Sequence, residues 1–174
     1  MRFLELPRQE FLDSRLTYVY DATARYDVTL ERRGDGFSIA LSSRPTQRRH
    51  LEYSEPLFAS GLEDPHAYAL VDHLGERVGY VETALEKDDI LRIVNLMVED
   101  GYRRRGYGSL LISKAKTQAR ALRCSALTIS VSQGNAGAIR FLLGQGFTLS
   151  GFNSLPSEES VDLSVFFTET PTSS

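Results

Sequence analysis

A basic, glycine-rich turn at Val98–Ser109 carries the residues best suited to binding chemistry. The apolar run Ile93–Val98 leads into it and the helical pattern of Leu110–Ala115 leads out, which predicts the order strand, turn, helix. Gly106 and Gly108 lack a Cβ, so a ligand can approach the main chain there. The first N–H groups of a helix have no partner within it and favour anions. The turn also carries Arg103, Arg104 and Arg105. Together these features predict a phosphate site.

Other interpretations of this turn are a solvated basic loop, a dinucleotide-binding fingerprint and a P-loop. The dinucleotide fingerprint needs a third glycine where Leu111 stands and an acidic residue after the next strand, Leu127–Val131. Ser132-Gln133-Gly134 follows that strand and contains no acid. No Gly-x-x-x-x-Gly-Lys-Ser/Thr sequence occurs, so a P-loop is excluded. The solvated loop and the phosphate site remain open on these residues alone.

The elements that position the turn are predicted from periodicity. Three strands of a meander are expected at Ala67–Val71, Val78–Ala84 and Ile90–Val98, followed by the helix and the strand Leu127–Val131. A strand, a helix and a parallel strand form a right-handed unit by default. Asn135 is an expected N-cap of a second helix, and Gly146 an expected left-handed residue after it. Two final strands are expected at Phe147–Leu149 and Val161–Phe166, with Pro156 and Ser157 in the loop between them.

The N-terminal part is harder to interpret. Residues 1–24 are weakly patterned, whereas Tyr26–Glu31 and Phe37–Leu41 alternate around Asp35-Gly36 and predict a hairpin. Arg44–His50 is expected to be a solvated basic loop. Pro56, Gly61 and Pro65 predict a loop over 51–66 with about one helical turn.

Composition narrows the class of protein. The chain has 174 residues, 41% of them apolar, which fits one ordinary globular domain. A net charge of −3 argues against nucleic-acid binding. Cys124 is the only cysteine, so no disulfide can form within the chain. The sequence shows no signal peptide and no apolar run long enough for a membrane span. We therefore expect a soluble, cytoplasmic protein.

Two motifs resemble a known superfamily. Arg103-Arg104-Arg105-Gly106-Tyr107-Gly108 resembles the Arg/Gln-x-x-Gly-x-Gly/Ala signature of the GCN5-related N-acetyltransferases (GNAT), whose turn holds the pyrophosphate of acetyl-coenzyme A. Asn135-x-x-Ala138-Ile139 and the later Phe147 are similar to the family's Asn-x-x-Ala-x-x-x-Tyr-x-x-x-Gly-Phe segment. Both motifs occur in the family's order, and the resemblance covers about residues 67–152. Asn135 as a plain helix cap without a ligand remains open.

One position departs from that pattern. Where many members carry a tyrosine as general acid to the leaving thiolate, this chain has Leu142, which cannot donate a proton. A thiol has a pKa near 8.5, so a thiolate can leave unassisted near neutral pH. The departure also keeps open a non-catalytic domain that binds acyl-coenzyme A as a sensor.

A narrower resemblance is to the streptothricin (nourseothricin) acetyltransferases. It rests on the hairpin Gly34–Phe37, on Val78-Gly79 with Glu82, and on Gly146–Gly151. Those enzymes acetylate an amine of a polycationic antibiotic and carry a heavily acidic loop before the meander. This chain has only Glu52, Glu55, Glu63 and Asp64 there, with Arg48, Arg49 and His50 beside them.

The resemblance implies a cofactor site and its residues. Acetyl-coenzyme A would bind through the pyrophosphate at the turn and through the pantetheine along the preceding strand. The implied binding residues are Met97, Val98, Arg103, Arg104, Arg105, Gly106, Tyr107, Gly108, Ser109 and Asn135. The main chain of Met97 and Val98 would pair with the pantetheine like an added strand, and an N–H near Val98 would polarise the thioester carbonyl.

The acceptor amine must be neutral to attack, so a base or a water wire to one is expected. Glu82 is the first candidate, and a solvated strand carboxylate is the alternative. Asn95 would orient the substrate or be paired within the core. Tyr80 would line the acceptor cleft or pack. The histidines lack metal-ligand spacing, so no metal is expected, and Cys124 fits a packing role.

These patterns predict a single α/β (α+β) domain with a GNAT-type mixed, mostly antiparallel sheet flanked by helices on both faces. Its expected parts are an N-terminal hairpin and acceptor-side segment (1–66), a cofactor-binding core (67–152), a final strand (153–167) and a tail (168–174). The expected activity is acetyl transfer from acetyl-coenzyme A to a primary amine of a small molecule. Acetylation of a protein or peptide amine is the alternative within the enzymes. No nucleic-acid or membrane partner is expected, and a homodimer stays open.

Overall fold

The computed structural model describes residues 1–87, 89–156 and 161–169. Within these ranges the helices are α1 Arg8–Phe11, α2 Tyr107–Ala121 and α3 Ala136–Gly144, with a 3-10 turn at Asp100–Tyr102. The strands are β1 Arg2–Leu6, β2 Arg15–Arg33, β3 Gly36–Pro56, β4 Glu63–Val71, β5 Arg77–Lys87, β6 Ile90–Val98, β7 Ala126–Ser132, β8 Thr148–Pro156 and β9 Val161–Glu169. None of the helices in these ranges is long and apolar enough to cross a membrane.

The described chain divides into two compact units. The first contains Met1–Val19, Glu52–Ile129 and the end of β9, and its strands lie in the order β1-β4-β5-β6-β7. The second contains Tyr20–Leu51 and the described residues of 130–167, where β7, β9 and β8 are neighbours in that order and β2 pairs with β3. The sheet is mixed: β1, β4, β5 and β6 pair antiparallel, and β6 pairs with β7 in parallel. The predicted fold class is therefore confirmed.

The two faces of the first unit's sheet have different coverings. Helix α2 packs against β5 and β6 and buries Leu111, Ile112, Ala115 and Ala119. On the other face, Leu57 and Phe58 are buried with Ala67 and Met97, and Phe11 of α1 packs against this cluster. Because paired strand residues share a face, Ala67, Glu82 and Asn95 all point to the Leu57–Phe58 side. The register thus brings two polar side chains into an apolar layer.

The parallel step that the sequence predicted is present but short. The ladder between β6 and β7 runs from Ile90–Ala126 to Ile93–Ile129. Residues 94–98 of β6 lie beyond the end of this ladder. The main-chain N–H and C=O groups of residues 94–98 that face away from β5 therefore make no hydrogen bonds in the β6–β7 ladder.

The N-terminal prediction was partly wrong. The hairpin around Asp35-Gly36 is confirmed. However, β2 begins at Arg15, and β1 and α1 lie within the weakly patterned residues 1–24, where no element was predicted. The expected loop Arg44–His50 is part of β3. This segment was predicted as a loop because it is polar. A strand in a two-stranded ribbon has few buried positions, so apolar and polar residues alternate little along it. Its basic side chains instead pair with acids of β2: Arg44 with Asp27, and both Arg48 and His50 with Asp21.

Three other boundaries differ from expectation. Pro156, expected in the loop between the last two strands, is the last residue of β8. The loop expected over 51–66 is confined to the stretch between Pro56 and Glu63, because β3 and β4 extend into it from either side. Strand β9 continues to Glu169, two residues into the segment expected to be a tail. Glu169 Oε1 lies 2.7 Å from Lys116 Nζ of α2, which anchors the strand end in the first unit. Ser157 and residues 170–174 lie outside the described residues.

Gly79 tests the packing of α2 on the sheet. A Cβ at this position would lie 2.8 Å from Met97 O and 3.0 Å from Leu111 Cδ1, so the main chain of β6 would have to shift. We expect Gly79→Ala to lower the free energy of unfolding by about 1–3 kcal/mol, measured by urea denaturation. Gly144→Ala is the matched control, because a Cβ there meets nothing within 4 Å and should leave stability unchanged or slightly higher. Equal effects of the two substitutions would contradict this packing.

Candidate active site

The phosphate-binding candidate is a turn held by its own main chain. After β6, the 3-10 turn leads into Arg103, whose N–H donates to Asp100 O over 3.3 Å. Arg104 and Gly106 both have positive φ angles, +63° and +83°. Gly106 is the N-cap of α2, and its carbonyl accepts the Ser109 N–H at 3.1 Å. A left-handed residue directly before a helix explains why a glycine stands at this position.

Five consecutive main-chain donors of this turn have no acceptor within the described chain. No hydrogen bond is made there by the N–H groups of Arg104, Arg105, Gly106, Tyr107 and Gly108. No side chain caps the start of α2. Gly106 is exposed, and a Cβ at this position would meet nothing within 4 Å. Unpaired N–H groups at the positive end of a fifteen-residue helix suit an anion, so the geometry fits a pyrophosphate.

The three arginines of the turn differ in what they contact. Arg103 is half-buried, and its side chain joins the turn to the strand end by donating to Val98 O at 3.2 Å and pairing with Asp100 at 3.1 Å. The Arg105 guanidinium lies over the Tyr102 ring, 5.6 Å from its centroid. Arg104 is exposed. Arg103 therefore shapes the turn, whereas the Arg104 and Arg105 side chains are exposed to solvent.

The register of β6 identifies which of its main-chain groups face away from β5. Glu99 N–H donates to Val78 O, so antiparallel alternation directs Leu96 and Val98 to the opposite edge and Met97 toward β5. The bond from Arg103 to Val98 O agrees with this direction. Val98 N–H is thus available along the edge where β7 no longer pairs, whereas Met97 main-chain groups are committed to β5. Leu96, which the sequence interpretation missed, follows from the same alternation.

Glu82 is enclosed by the protein. Its side chain is 0% exposed, which rules out the solvated strand carboxylate. Oε1 accepts the Phe58 N–H at 2.7 Å, and Oε2 accepts from Asn95 Nδ2 at 2.6 Å. Burial raises the pKa of Glu82, and the hydrogen bonds from Asn95 and Phe58 oppose that rise. A carboxylate with a raised pKa is closer to the range that suits a general base.

Asn95 joins Glu82 to two other elements. It is buried at 3% exposure, and Nδ2 also lies 3.2 Å from Pro56 O. Its Oδ1 accepts the hydroxyl of Tyr18 at 2.8 Å. Asn95 is therefore paired within the protein, as one of its two interpretations expected. The role of Tyr18 could not be found in the sequence, because 77 residues separate it from Asn95.

The segment that crosses over Glu82 has an unusual conformation. Phe58 has a φ of +54°, a region that L-residues rarely adopt. Its side chain is nearly fully buried, and its N–H is the donor to Glu82. The buried carboxylate thus satisfies a main-chain group that this conformation turns inward. Tyr80, on the same face as Glu82, is half-buried against the Leu57–Phe58 cluster, and burial raises its pKa.

Asn135 and Leu142 belong to the second unit. The Oδ1 of Asn135 accepts the Ala138 N–H at 3.0 Å, so the residue caps α3 as predicted. Leu142 lies in α3 and is 1% exposed, so its side chain packs in the protein interior. Gly146 has a φ of +90°, which confirms the left-handed residue after the helix.

The remaining candidates are Cys124 and the side chains that could bind a metal ion. Cys124 is buried and free, and burial raises the pKa of its thiol, which suits a packing residue rather than a nucleophile. Among the described residues, no group of three or more His, Cys, Asp or Glu side chains could hold a metal ion.

The fold is a mixed α/β sheet in which the parallel ladder between β6 and β7 ends before the turn that begins α2. The model of the Acetyltransferase (GNAT) family matches residues 33–147 of the chain. The chain belongs to this family and is an acetyltransferase. No curated protein has a significantly similar sequence.

Solved structures share the fold at low identity. A nourseothricin acetyltransferase has a TM-score of 0.73 at 20% identity, over 98% of both chains. A protein from Bacillus anthracis strain Ames, assigned as a streptothricin acetyltransferase and solved with acetyl-coenzyme A, has a TM-score of 0.72 at 17% identity over 97% of this chain and 98% of its own. The ribosomal-protein-S18-alanine N-acetyltransferase of Escherichia coli has a TM-score of 0.53 at 18% identity, over 62% of this chain and 70% of its own.

Proposed function

We propose that the protein transfers an acetyl group from acetyl-coenzyme A to a primary amine of a small molecule. The observation that carries this proposal is the turn at the start of α2, where consecutive N–H groups have no acceptor within the described chain. Membership in the acetyltransferase family supports the same cofactor. A structural neighbour over almost the whole chain binds acetyl-coenzyme A.

The residues proposed to hold the cofactor have distinct tasks. Main-chain N–H groups from Arg104 to Gly108 would bind the pyrophosphate, and the Arg104 and Arg105 side chains would add charge. The N–H groups of Arg103 and Ser109, which were also expected to bind it, already donate to Asp100 O and Gly106 O. Val98 would pair with the pantetheine arm through the free edge of β6, whereas the Met97 main chain, also expected to do so, is paired with β5. Asn135 would bind the far end of the pantetheine through the amide group that its capping bond leaves unused. Acetyl-coenzyme A supplies the acetyl group as a thioester when it is bound.

The chemistry at the acceptor needs a base and a donor. Val98 N–H lies on the free edge of β6, where it would stabilise negative charge on the thioester oxygen. Glu82 would accept the proton that the amine loses. Because Glu82 is enclosed and both its oxygens already accept hydrogen bonds, we propose that this proton reaches it through water. Asn95 would orient Glu82, and Tyr80 would form part of the acceptor wall.

The acceptor class is proposed from the structural neighbours and from the aromatic surface of the first unit. Two neighbours that cover nearly the whole chain are named for nourseothricin and streptothricin. Tyr18 and Tyr53 stack with ring centroids 4.9 Å apart and planes 6° apart, and Glu55 lies close enough to influence Tyr18. Stacked aromatic rings beside a carboxylate favour a cationic amine. We therefore propose an aminated antibiotic of the streptothricin type as acceptor.

Release of free thiol from acetyl-coenzyme A tests this function. The panel should contain streptothricin, an aminoglycoside and a peptide with a free N-terminal alanine. We expect thiol release with streptothricin and a product heavier by one acetyl group. Release with the peptide alone would support the protein-acetylating alternative. Cofactor binding without turnover of any amine would support a sensor and contradict the proposal.

A further inference from the structure

A continuous set of hydrogen bonds connects the free edge of β6 to the enclosed Glu82. It begins at the Tyr18 hydroxyl, which also interacts with the main chain of Leu96, one of the residues directed away from β5. The hydroxyl donates to Asn95 Oδ1 at 2.8 Å, and Asn95 Nδ2 donates to Glu82 Oε2 at 2.6 Å. Tyr18 is half-buried whereas Asn95 and Glu82 are buried, so Tyr18 is the member of this set that reaches the protein surface.

The chemistry of these groups fixes the orientation of the Asn95 amide. Two acceptors, Pro56 O and the ionised carboxylate of Glu82, face its Nδ2. Only an amide nitrogen can donate to both, so Oδ1 must point the other way. The Tyr18 hydroxyl meets that oxygen and completes its bonding. All of these hydrogen bonds are satisfied when Glu82 is ionised.

We propose, resting on the function proposed above, that Tyr18 is a positioning residue: by holding the Asn95 amide it keeps Glu82 ionised and ready to accept the proton of the acceptor amine. Burial favours the neutral form of a carboxyl group, whereas an amide donor favours the charged form. Without the hydroxyl, Asn95 Oδ1 would be left buried and unpaired, and the amide would be free to turn. Glu82 would then lose its donor.

The other groups around Glu82 do not replace this bond. Tyr18 belongs to β2, and Tyr53 and Glu55 belong to β3. Tyr80 lies on the same face of β5 as Glu82, and Arg77 and Glu99 are close to it. In the described chain, the groups that donate to the Glu82 carboxylate are Asn95 Nδ2 and the Phe58 N–H. Burial raises the pKa of the Tyr18 hydroxyl, so it stays protonated and able to donate throughout the range in which Glu82 titrates.

The test is Tyr18→Phe, which removes the hydroxyl and keeps the ring that stacks on Tyr53. With streptothricin as acceptor, we expect kcat/KM at pH 7 to fall about tenfold, as for loss of one hydrogen bond to a charged group. The acid limb of the pH profile should move to higher pH, and activity should recover toward the wild-type value above it. Tyr68→Phe is the matched control, because Tyr68 alternates to the opposite face of the sheet. It should leave the profile unchanged.

A second measurement needs no activity. The melting temperature of the wild type should decrease with rising pH as Glu82 ionises in the folded state, and this decrease should lie at higher pH in Tyr18→Phe. In the double variant Tyr18→Phe with Glu82→Gln, this decrease of melting temperature with rising pH should be absent. A uniform loss of melting temperature with an unchanged pH dependence would show a merely structural role and overturn the inference. If no amine is a substrate, the proposed function fails, while this shift still decides the role of Tyr18.

Discussion

Gly106→Glu is expected to abolish binding of acetyl-coenzyme A, with a loss of affinity of at least about 100-fold. The substitution places a carboxylate at a helix N-terminus where the unpaired N–H groups of residues 104–108 would otherwise meet the pyrophosphate. Like charges in contact cost several kcal/mol, and the side chain also occupies the approach to the main chain. Isothermal titration calorimetry with acetyl-coenzyme A measures the effect directly.

The control for this substitution must carry the same strain and the same charge. Gly75→Glu does so, because Gly75 has a φ of +90° against +83° at Gly106, and a Cβ there also meets nothing within 4 Å. It lies in the turn between β4 and β5, whereas Gly106 is the N-cap of α2. We expect both variants to lose similar stability, and only Gly106→Glu to lose the cofactor. Retained affinity in Gly106→Glu would exclude this turn as the pyrophosphate site.

Glu82→Gln is expected to lower kcat by about 100-fold at neutral pH, because an amide cannot accept the proton that a general base removes. The glutamine amide would also direct its NH2 group at either Asn95 Nδ2 or the Phe58 N–H, both donors, which costs about 1–3 kcal/mol of stability. Circular dichroism should therefore accompany the kinetics. Glu76→Gln, on an exposed residue, is the control and should keep wild-type kcat.

Glu82 should also make the stability of the wild-type protein depend on pH. Burial raises the folded-state pKa of Glu82 above its value in the unfolded chain. The folded state therefore holds a proton that the unfolded state has released, and its stabilising effect is lost as the pH rises through the folded pKa. The wild type should lose stability relative to Glu82→Gln across that window. Parallel curves of melting temperature against pH would contradict a titrating Glu82.

The turn could be predicted from the sequence because its causes are local. An apolar strand, a left-handed glycine and an amphipathic helix follow one another within about twenty residues, so periodicity and glycine placement are sufficient. The cap at Asn135 is local in the same way, since it bonds to Ala138 three residues later. These are the parts of the candidate site that the structure reproduces as expected.

The environment of Glu82 could not be predicted, because it depends on strands that are distant in sequence. The pairing of Glu82 with Asn95 follows from the register of β5 and β6, including an irregularity next to that pair. Phe58 reaches Glu82 through a positive φ that no local pattern indicates. Tyr18, Val19 and Tyr20 are all half-buried, so burial does not alternate along β2 around Tyr18. The extension of β3 beyond Leu41 was missed because its charged residues pair across the ribbon instead of alternating with buried ones.

The most direct test of the central claim is titration of the wild-type protein with acetyl-coenzyme A. We expect one site per chain with a dissociation constant in the micromolar range, the range typical of Michaelis constants for enzyme substrates. Desulfo-coenzyme A, which keeps the pyrophosphate, should compete for that site. Absence of binding, or binding that survives unchanged in Gly106→Glu, would contradict the assignment of the Arg103–Ser109 turn as the cofactor site.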